Sequence, residues 1–254
     1  MCGLSGRPDG FVQILIYNIA ALIGATSQGL TGFGSGTLTA SFLVLFYPFR
    51  DVIPVVAVIG LTANVVMTAL AGREFDWKRG PIAAVGMSVG MVAGAQLLTV
   101  LPVDLLQRGL GFVILCYVAL NLFNTPTPMT APRLGAADIT GLGVCSVFAG
   151  TIAGAVGVSP VPLLIYVSLR YPKKSARAIL TMAFLVASTV QVITYAHLGL
   201  LGGTAGWLAA ACLPAVILGA YAGHRLHYKI DQATFARILA LILVAPAVRL
   251  LFFT

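Results

Sequence analysis

The chain has 254 residues, of which 59% are hydrophobic and only 9% are charged. A soluble domain carries about 25% charged residues, so this composition excludes a soluble globular protein and indicates one membrane domain over residues 1–254. The formal net charge is +8. Because the basic residues lie in short segments between apolar runs, we attribute this charge to orientation in the bilayer and expect no nucleic-acid partner.

Apolar stretches of about 20 residues, the length that spans a bilayer, predict a series of transmembrane helices. In chain order these are 52–71, 82–101, 105–123, 178–198, 204–223 and 234–253. Two longer stretches, 11–48 and 137–169, contain glycine clusters and are predicted to form helical hairpins bent at those glycines. The second arms of these hairpins begin near Thr37 and Pro162 and are too short to cross a bilayer unaided.

The glycine clusters indicate broken helices. They read Gly29-Leu-Thr-Gly-Phe-Gly-Ser-Gly36 in the first hairpin and Gly154-Ala-Val-Gly-Val-Ser-Pro-Val-Pro162 in the second. Each glycine inside a helix costs about 1 kcal/mol, and irregular backbone at membrane depth is tolerated only where it is buried or lines a cavity. Two broken segments in corresponding positions are typical of a transporter's substrate site.

Glycine also lets membrane helices pack closely, and that interpretation stays open beside the first. We favour the broken helix for the two clusters. For a second set of glycines, spaced four residues apart within predicted single helices, we favour close packing. That set is Gly90, Gly94, Gly219 and Gly223.

The two halves of the chain align, since Gly29-x-x-Gly32 matches Gly154-x-x-Gly157. Corresponding loops carry opposite bias in Lys and Arg, as expected for halves of inverted topology. We therefore predict an all-α polytopic membrane protein built from two inverted repeats, 11–124 and 137–253, joined by a linker over 125–136. Each repeat would be a glycine-broken hairpin followed by three transmembrane helices.

The basic residues also predict orientation. Most of them fall in loops that the positive-inside rule assigns to the cytoplasm. These loops are 72–80, 124–136, 170–177 and 224–233. For them to share one side, the second hairpin must leave and return to that side. We expect both termini outside the cytoplasmic (inner) membrane.

These features together resemble the TauE/SafE sulfite exporter family of anion permeases. The resemblance covers about residues 11–253. It rests on the glycine hairpins, the two segmented halves, a basic loop from Arg73 to Arg79 with Asp76-Trp77 before the next helix, and a Gly90-x-x-x-Gly94 helix. It implies transport of small sulfur-containing oxyanions, organosulfonates or other small organic acids.

The family's motif is a glycine-rich turn of the type Gly-x-x-Gly-x-Gly-Gly-Gly in each half. The first copy here reads Gly29-x-x-Gly32-x-Gly34-Ser35-Gly36, with a serine in the glycine run. The second copy keeps Gly154 and Gly157 but has Ser159, Pro160 and Pro162 where glycines are usual.

The chemistry of the predicted site follows from the placement of charge. All seven acidic residues fall in loops or at segment ends, and no Lys or Arg lies in the middle of a segment. Cation pumps and carboxylate proton relays place ionisable groups within the membrane. An anion site must therefore use hydroxyls, backbone amides and helix N-termini. A helix N-terminus carries about +0.5 of an elementary charge.

Polar side chains and glycine amides beside the two clusters are thus the candidate substrate ligands. They are Gln28, Thr31, Gly32, Gly34, Ser35, Gly36, Thr37, Asn64, Gly157, Ser159, Thr189 and Gln191. Asn64 and Thr189 occupy matching positions in the two halves. Tyr195 lies near a segment end and is predicted to be an interface anchor. The spacing of Cys and His indicates no metal site, and we expect no cofactor.

The sequence therefore predicts a secondary transporter that moves small anions by alternating access, and no enzymatic activity. Its partners would be the substrate anion, the lipid bilayer and possible further copies of the chain. An anion channel built on the same hairpins, a membrane-embedded assembly factor and a structural membrane subunit remain as alternatives.

Overall fold

The computed structural model describes residues 10–32, 34–70, 75–122, 135–157, 160–226, 243–244 and 247–251. Within these ranges the secondary structure is entirely helical. The helices are α1 (Gly10–Thr31), α2 (Ser35–Leu43), α3 (Phe49–Leu70), α4 (Gly80–Val100), α5 (Val103–Leu122), α6 (Ala136–Val156), α7 (Val161–Arg170), α8 (Lys173–His197) and α9 (Thr204–Leu226).

Six of these helices, α1, α3, α4, α6, α8 and α9, are long and apolar enough to cross a membrane. The second arms α2 and α7 have 9 and 10 residues. At about 1.5 Å per residue, such helices reach only half of a 30 Å hydrocarbon core. The architecture is that of a polytopic membrane protein, as predicted.

Helix boundaries differ from the prediction near the basic residues. The expected loop 170–177 is only a turn at Tyr171 and Pro172, because α8 already begins at Lys173. Proline fits a helix start and Lys and Arg are good helix formers, so the basic residues extend the helix. Likewise, α9 continues to Leu226 into the expected loop 224–233. The predicted helix 234–253 lies mostly outside the described residues.

The helix of each hairpin is interrupted at the glycine cluster, as the sequence predicted. Gly32 and Gly34 have φ angles of 90° and 102°, and Gly157 has a φ of 73°. Only glycine adopts these angles without strain. We call the described residues Gly32 and Gly34 the first break, and the described residues Gly157 and Pro160 the second break. The second arms start at Ser35 and Val161, slightly earlier than predicted. In α7 the helix starts before Pro162, because proline fits within the first turn of a helix.

Aromatic packing holds the first hairpin together at its open end, where the two arms lie farthest from the break. Tyr47, which follows α2, packs against Tyr17 of α1 with ring centroids 5.0 Å apart. Nearby in the chain, Arg50 at the start of α3 donates a hydrogen bond of 2.8 Å to the carbonyl oxygen of Leu101, just after α4. The open end of this hairpin therefore lies at the C-terminal end of α4.

The second hairpin is tied at the opposite end of α4. Arg79, just before α4, donates to the carboxylate of Asp138 at the start of α6 over 3.2 Å. The same carboxylate accepts a hydrogen bond of 3.3 Å from Arg170 at the end of α7. The two hairpins therefore open toward opposite ends of the molecule.

Two glycine seams join the halves of the chain. In the seam of α4 with α6, a methyl group on Gly90 would collide with the Val147 carbonyl oxygen. In the seam of α9 with α1, a methyl group on Gly223 would collide with the Thr26 carbonyl oxygen. The close-packing interpretation of these glycines is confirmed.

The buried apolar residues form two clusters, each centred on one bundle of helices. The first bundle consists of α1, α2, α3 and α9. Its core also takes in α5, the C-terminal ends of α4, α6 and α8, and the start of α7 at Val161. The second bundle consists of α4, α6, α7 and α8. Each bundle thus contains one hairpin, the helix that follows that hairpin, and one helix from the other half of the chain.

Candidate functional site

A cavity lies between the two bundles, near the middle of α3, α4 and α8. The residues that line it are Gln28, Gly34, Ser35, Gly36, Val56, Ala57, Gly60, Asn64, Met87, Met91, Gly157, Pro160, Phe184 and Gln191. The first eight belong to the first bundle and the last six to the second bundle. None of these described lining residues carries a charge.

The cavity is small. It offers about 60 Å³ to the centres of water-sized molecules. Because one water needs about 10–15 Å³ by this measure, the space fits roughly four to six waters. This size suits an ion of a few heavy atoms.

More than half of the predicted ligands line this cavity. They are Gln28, Gly34, Ser35, Gly36, Asn64, Gly157 and Gln191. Both breaks contribute, so the fold brings together the two segments that the sequence singled out.

The other predicted ligands lie elsewhere or cannot be placed. Thr31 and Gly32 are half-buried and Thr37 is fully buried, but none of them lines the cavity. Thr189 is exposed, and its hydroxyl donates to a carbonyl of its own helix over 2.8 Å. Ser159 lies outside the described residues.

A directed series of hydrogen bonds crosses the cavity wall. The Ser35 hydroxyl donates to Oε1 of Gln28. Nε2 of Gln28 donates to Oδ1 of Asn64 over 2.6 Å. Nδ2 of Asn64 then donates to Ser188 Oγ over 3.2 Å and to the Phe184 carbonyl oxygen over 3.4 Å. The series begins in α2, runs through α1 and α3, and ends on α8, so it joins the two bundles.

This series fixes the orientation of the Gln28 amide. Its oxygen accepts from Ser35, so its nitrogen must point toward Asn64. An amide nitrogen carries two hydrogens, and Asn64 uses one of them. The second hydrogen has no acceptor among the residues that the structure describes, although the side chain is only 3% exposed. It is available to a ligand in the cavity.

The start of α2 supplies further donors. No side chain caps Gly34, and the first helical bond of α2 runs from the Leu38 amide to the Gly34 carbonyl over 3.1 Å. The amides of Ser35 and Gly36 precede that bond and therefore have no acceptor within the helix. Both residues line the cavity.

The start of α7 is poorer in donors. It follows Pro160, and Pro162 stands in its first turn. Proline has no N–H, so only the amides of Val161 and Leu163 remain before the first helical bond at Leu164. Neither residue lines the cavity, whereas Ser35, Gly36 and the Gln28 side chain do. The first break is thus the richer side of the cavity in N–H donors.

At the second break, two side chains of α8 reach the end of α6. Nε2 of Gln191 donates to the Ala153 carbonyl oxygen over 3.2 Å and to the Tyr195 hydroxyl over 3.1 Å. That hydroxyl donates to the Gly154 carbonyl oxygen over 2.5 Å. Tyr195 is 0% exposed.

Tyr195 is therefore not an interface anchor, and the prediction for it was wrong. Aromatic residues near segment ends usually face the membrane surface, but this one turns inward to reach a carbonyl. The signal available in the sequence was its spacing of four residues from Gln191, which puts both side chains on one helix face. Ser188 was also missed, because the sequence aligned Asn64 with its neighbour Thr189.

A buried ion cluster lies away from the cavity, at the open end of the second hairpin. Asp138 is 2% exposed, and besides Arg79 and Arg170 its carboxylate accepts the Tyr171 hydroxyl over 2.6 Å. Burial, and then this hydrogen bond, raise the pKa of Tyr171 well above its ordinary value. Tyr171 therefore stays a donor at physiological pH, and the cluster anchors both arms of the hairpin.

A comparison with protein families matches residues 17–250 to the family described as Sulfite exporter TauE/SafE. The chain belongs to the TauE/SafE sulfite exporter family. The resemblance inferred from the glycine motifs is thus confirmed over nearly the whole chain. No curated protein and no solved structure matches it. TauE/SafE membership makes this chain a multi-pass membrane protein of a transporter family.

Proposed function

We propose that this TauE/SafE protein is a secondary transporter that moves small anions across the cytoplasmic membrane by alternating access, and that it is not an enzyme. Sulfur-containing oxyanions, organosulfonates and small organic acids are the proposed substrates. One observation carries the proposal: an uncharged, largely apolar cavity with hydrogen-bond donors at the first break lies at the boundary between two bundles.

The donors of the cavity suit an anion. The N-terminus of α2 supplies the amides of Ser35 and Gly36 together with the positive end of the helix dipole, about +0.5 of an elementary charge. Gln28 supplies one more N–H. Because no fixed cation takes part among the described lining residues, the anion would be held weakly enough to leave again, as a carrier requires.

The packing of the helices supports two inverted repeats, 11–124 and 137–253, with a linker over 125–136. The fourth helix of the first half, α4, packs on the hairpin of the second half. Its counterpart α9 packs on the hairpin of the first half in the same way. The hairpins also open toward opposite ends of the molecule, as inverted repeats require.

The ion pairs of Asp138 support the proposed orientation in the membrane. Arg79, Asp138 and Arg170 meet at one end of the molecule, although they come from three separate parts of the chain. Under the positive-inside rule this end faces the cytoplasm, and both termini lie outside.

Alternating access would arise from movement of the two bundles about the cavity. The buried apolar residues form two clusters, one centred on each bundle, so the boundary between the bundles is where movement would occur. Hydrogen bonds from Asn64 to Ser188 and to the Phe184 carbonyl link the bundles at the level of the cavity. Opening on either side would then leave the substrate site between them in place.

The test is flux through the purified protein in vesicles, with sulfite, thiosulfate, methanesulfonate and acetate as the panel of anions. We expect saturable uptake of at least one anion and counterflow of labelled anion against an unlabelled internal pool. Flux that does not saturate and shows no counterflow would favour an anion channel. A lack of flux with every anion would contradict the proposal and favour an assembly factor or a structural subunit.

Orientation is tested separately by cysteine labelling. In a background without the four native cysteines, Lys78→Cys and Lys174→Cys should both react with a membrane-impermeant thiol reagent only from the cytoplasmic side. Labelling of either position in intact cells would contradict the proposed topology.

A further inference from the structure

Where a helix is interrupted, the negative C-terminal end of one helix dipole lies beside the positive N-terminal end of the next. At the second break, α6 ends at Val156 and α7 begins at Val161. A helix C-terminus carries about −0.5 of an elementary charge on its last carbonyls, while the next N-terminus carries about +0.5. An anion beside the break therefore meets a repulsive pole as well as an attractive one.

The carbonyls of α6 that would repel an anion are covered. Ala153 and Gly154 belong to the last turn of α6, and the Ala153 carbonyl oxygen already accepts the Gly157 amide over 2.8 Å. Gln191 donates to the Ala153 carbonyl oxygen and Tyr195 to the Gly154 carbonyl oxygen. Both donors come from α8, and Gln191 itself lines the cavity.

We propose that Gln191 and Tyr195 determine the charge selectivity of the cavity, because they cover the Ala153 and Gly154 carbonyl oxygens beside the second break. This inference rests on the proposed anion transport. Gln191 would also touch the substrate, whereas Tyr195 acts through the Gly154 carbonyl and is a positioning residue.

Each break has one carbonyl covered by the amide of its positive-φ glycine, and the two breaks differ in where the side-chain donors come from. The Gly32 amide donates to the Gln28 carbonyl oxygen over 2.7 Å, and the Thr31 hydroxyl donates to the Ser27 carbonyl oxygen over 2.9 Å. The end of α1 is thus covered by its own chain.

The second break combines few amide donors with side-chain donors that come from another helix. The prolines at 160 and 162 remove N–H groups there, so uncovered carbonyls would weigh more heavily than at the first break. The long-range bonds from α8 are therefore placed where the balance of charge is most sensitive.

The test is Tyr195→Phe, which removes one hydroxyl and keeps the ring. In vesicles with the anion panel named above, we expect the KM for the transported anion to rise about tenfold, which corresponds to about 1.4 kcal/mol of lost binding. We also expect the ratio of anion to cation permeability, measured from reversal potentials, to fall. Tyr17→Phe is the matched control, since Tyr17 is 1% exposed and lies at the open end of the first hairpin; its KM should equal that of the wild type.

A merely structural role for Tyr195 would lower the thermal midpoint and leave KM and permeability ratio unchanged, and that result would overturn the inference. If Tyr195→Phe does not fold, Gln191→Met decides, because methionine keeps the side-chain length and removes the side-chain donor to the Ala153 carbonyl oxygen, which then keeps only the Gly157 amide. An unchanged KM in a folded Gln191→Met protein would overturn the inference as well. A wild-type protein that moves no anion would instead contradict the proposed function itself.

Discussion

The two hairpins share a shape but are built by different chemistry. In the first, Gly32 and Gly34 form the break, and the open end is held by the packing of Tyr17 against Tyr47. In the second, Gly157 and Pro160 form the described part of the break, Pro162 stands in the first turn of α7, and the open end is held by the buried Asp138 cluster.

The difference shows a division of labour between binding and anchoring. The first hairpin offers the cavity an uncapped helix N-terminus and the free N–H of Gln28. The second hairpin is fixed by the ion pairs of Asp138 with Arg79 and Arg170. Substitutions in the second hairpin should therefore change stability most, and substitutions in the first should change substrate binding most.

The largest expected effect is on stability, from Asp138→Asn. Removing the charge leaves Arg79 and Arg170 without their shared carboxylate, and breaking a buried ion pair costs about 3–5 kcal/mol. We expect a large fall in the midpoint of thermal unfolding of the purified protein in detergent.

The matched change in the first hairpin is Tyr47→Phe. The buried Tyr47 hydroxyl has no hydrogen-bond partner in the described part of the chain, so its removal should change stability by less than about 0.5 kcal/mol. Equal losses from the two variants would contradict the claim that the second hairpin is the anchored one.

The next effect is on transport, from Gly34→Ala. Gly34 has a φ of 102°, and a side chain held in such a conformation costs about 1–3 kcal/mol. The start of α2 would shift, so we expect anion uptake to be lost while the protein still inserts. Gly109→Ala is the control, because its new methyl would lie 3.7 Å from Val156 in ordinary contact. Normal uptake by well-expressed Gly34→Ala would defeat the assignment of the site to the first break.

A third experiment compares the seams that hold each hairpin. Gly90→Ala forces α4 from α6, and Gly223→Ala forces α9 from α1, because each new methyl collides with a backbone carbonyl. Overpacking of this kind costs about 1–3 kcal/mol, and equivalent seams should lose similar stability. Gly143→Ala, whose methyl would lie 4.0 Å from Ile82, should unfold at the wild-type temperature. A loss in only one seam would weaken the case for two equivalent repeats.

The smallest expected effect comes from Ser188→Ala. This change removes an acceptor of the Asn64 amide, and a lost hydrogen bond of this kind is worth about 0.5–1.5 kcal/mol. We expect the KM for the anion to rise about two- to tenfold, measured by initial rates of uptake. Thr189→Val at the neighbouring exposed position should leave KM unchanged. A raised KM for Thr189→Val with an unchanged KM for Ser188→Ala would instead support Thr189, the candidate ligand that the sequence suggested.

The sequence was sufficient for the features that depend on backbone conformation. Gly34 and Gly157 predict the helix breaks, because few residues other than glycine adopt a positive φ. The choice between Ser188 and Thr189 depends instead on the rotation of α8 against α3, which follows from packing over the whole helix. The inward turn of Tyr195 likewise depends on an unsatisfied carbonyl of another helix, which no local pattern reveals.

The central claim is that an anion binds between the two breaks through neutral donors. Selenite, an analogue of sulfite with a strong anomalous signal, would show its position directly in crystals of the protein. The account predicts one peak within hydrogen-bond distance of Gln28 Nε2 and the Ser35 and Gly36 amides. A peak only at the basic end, beside Arg79 and Arg170, would contradict it.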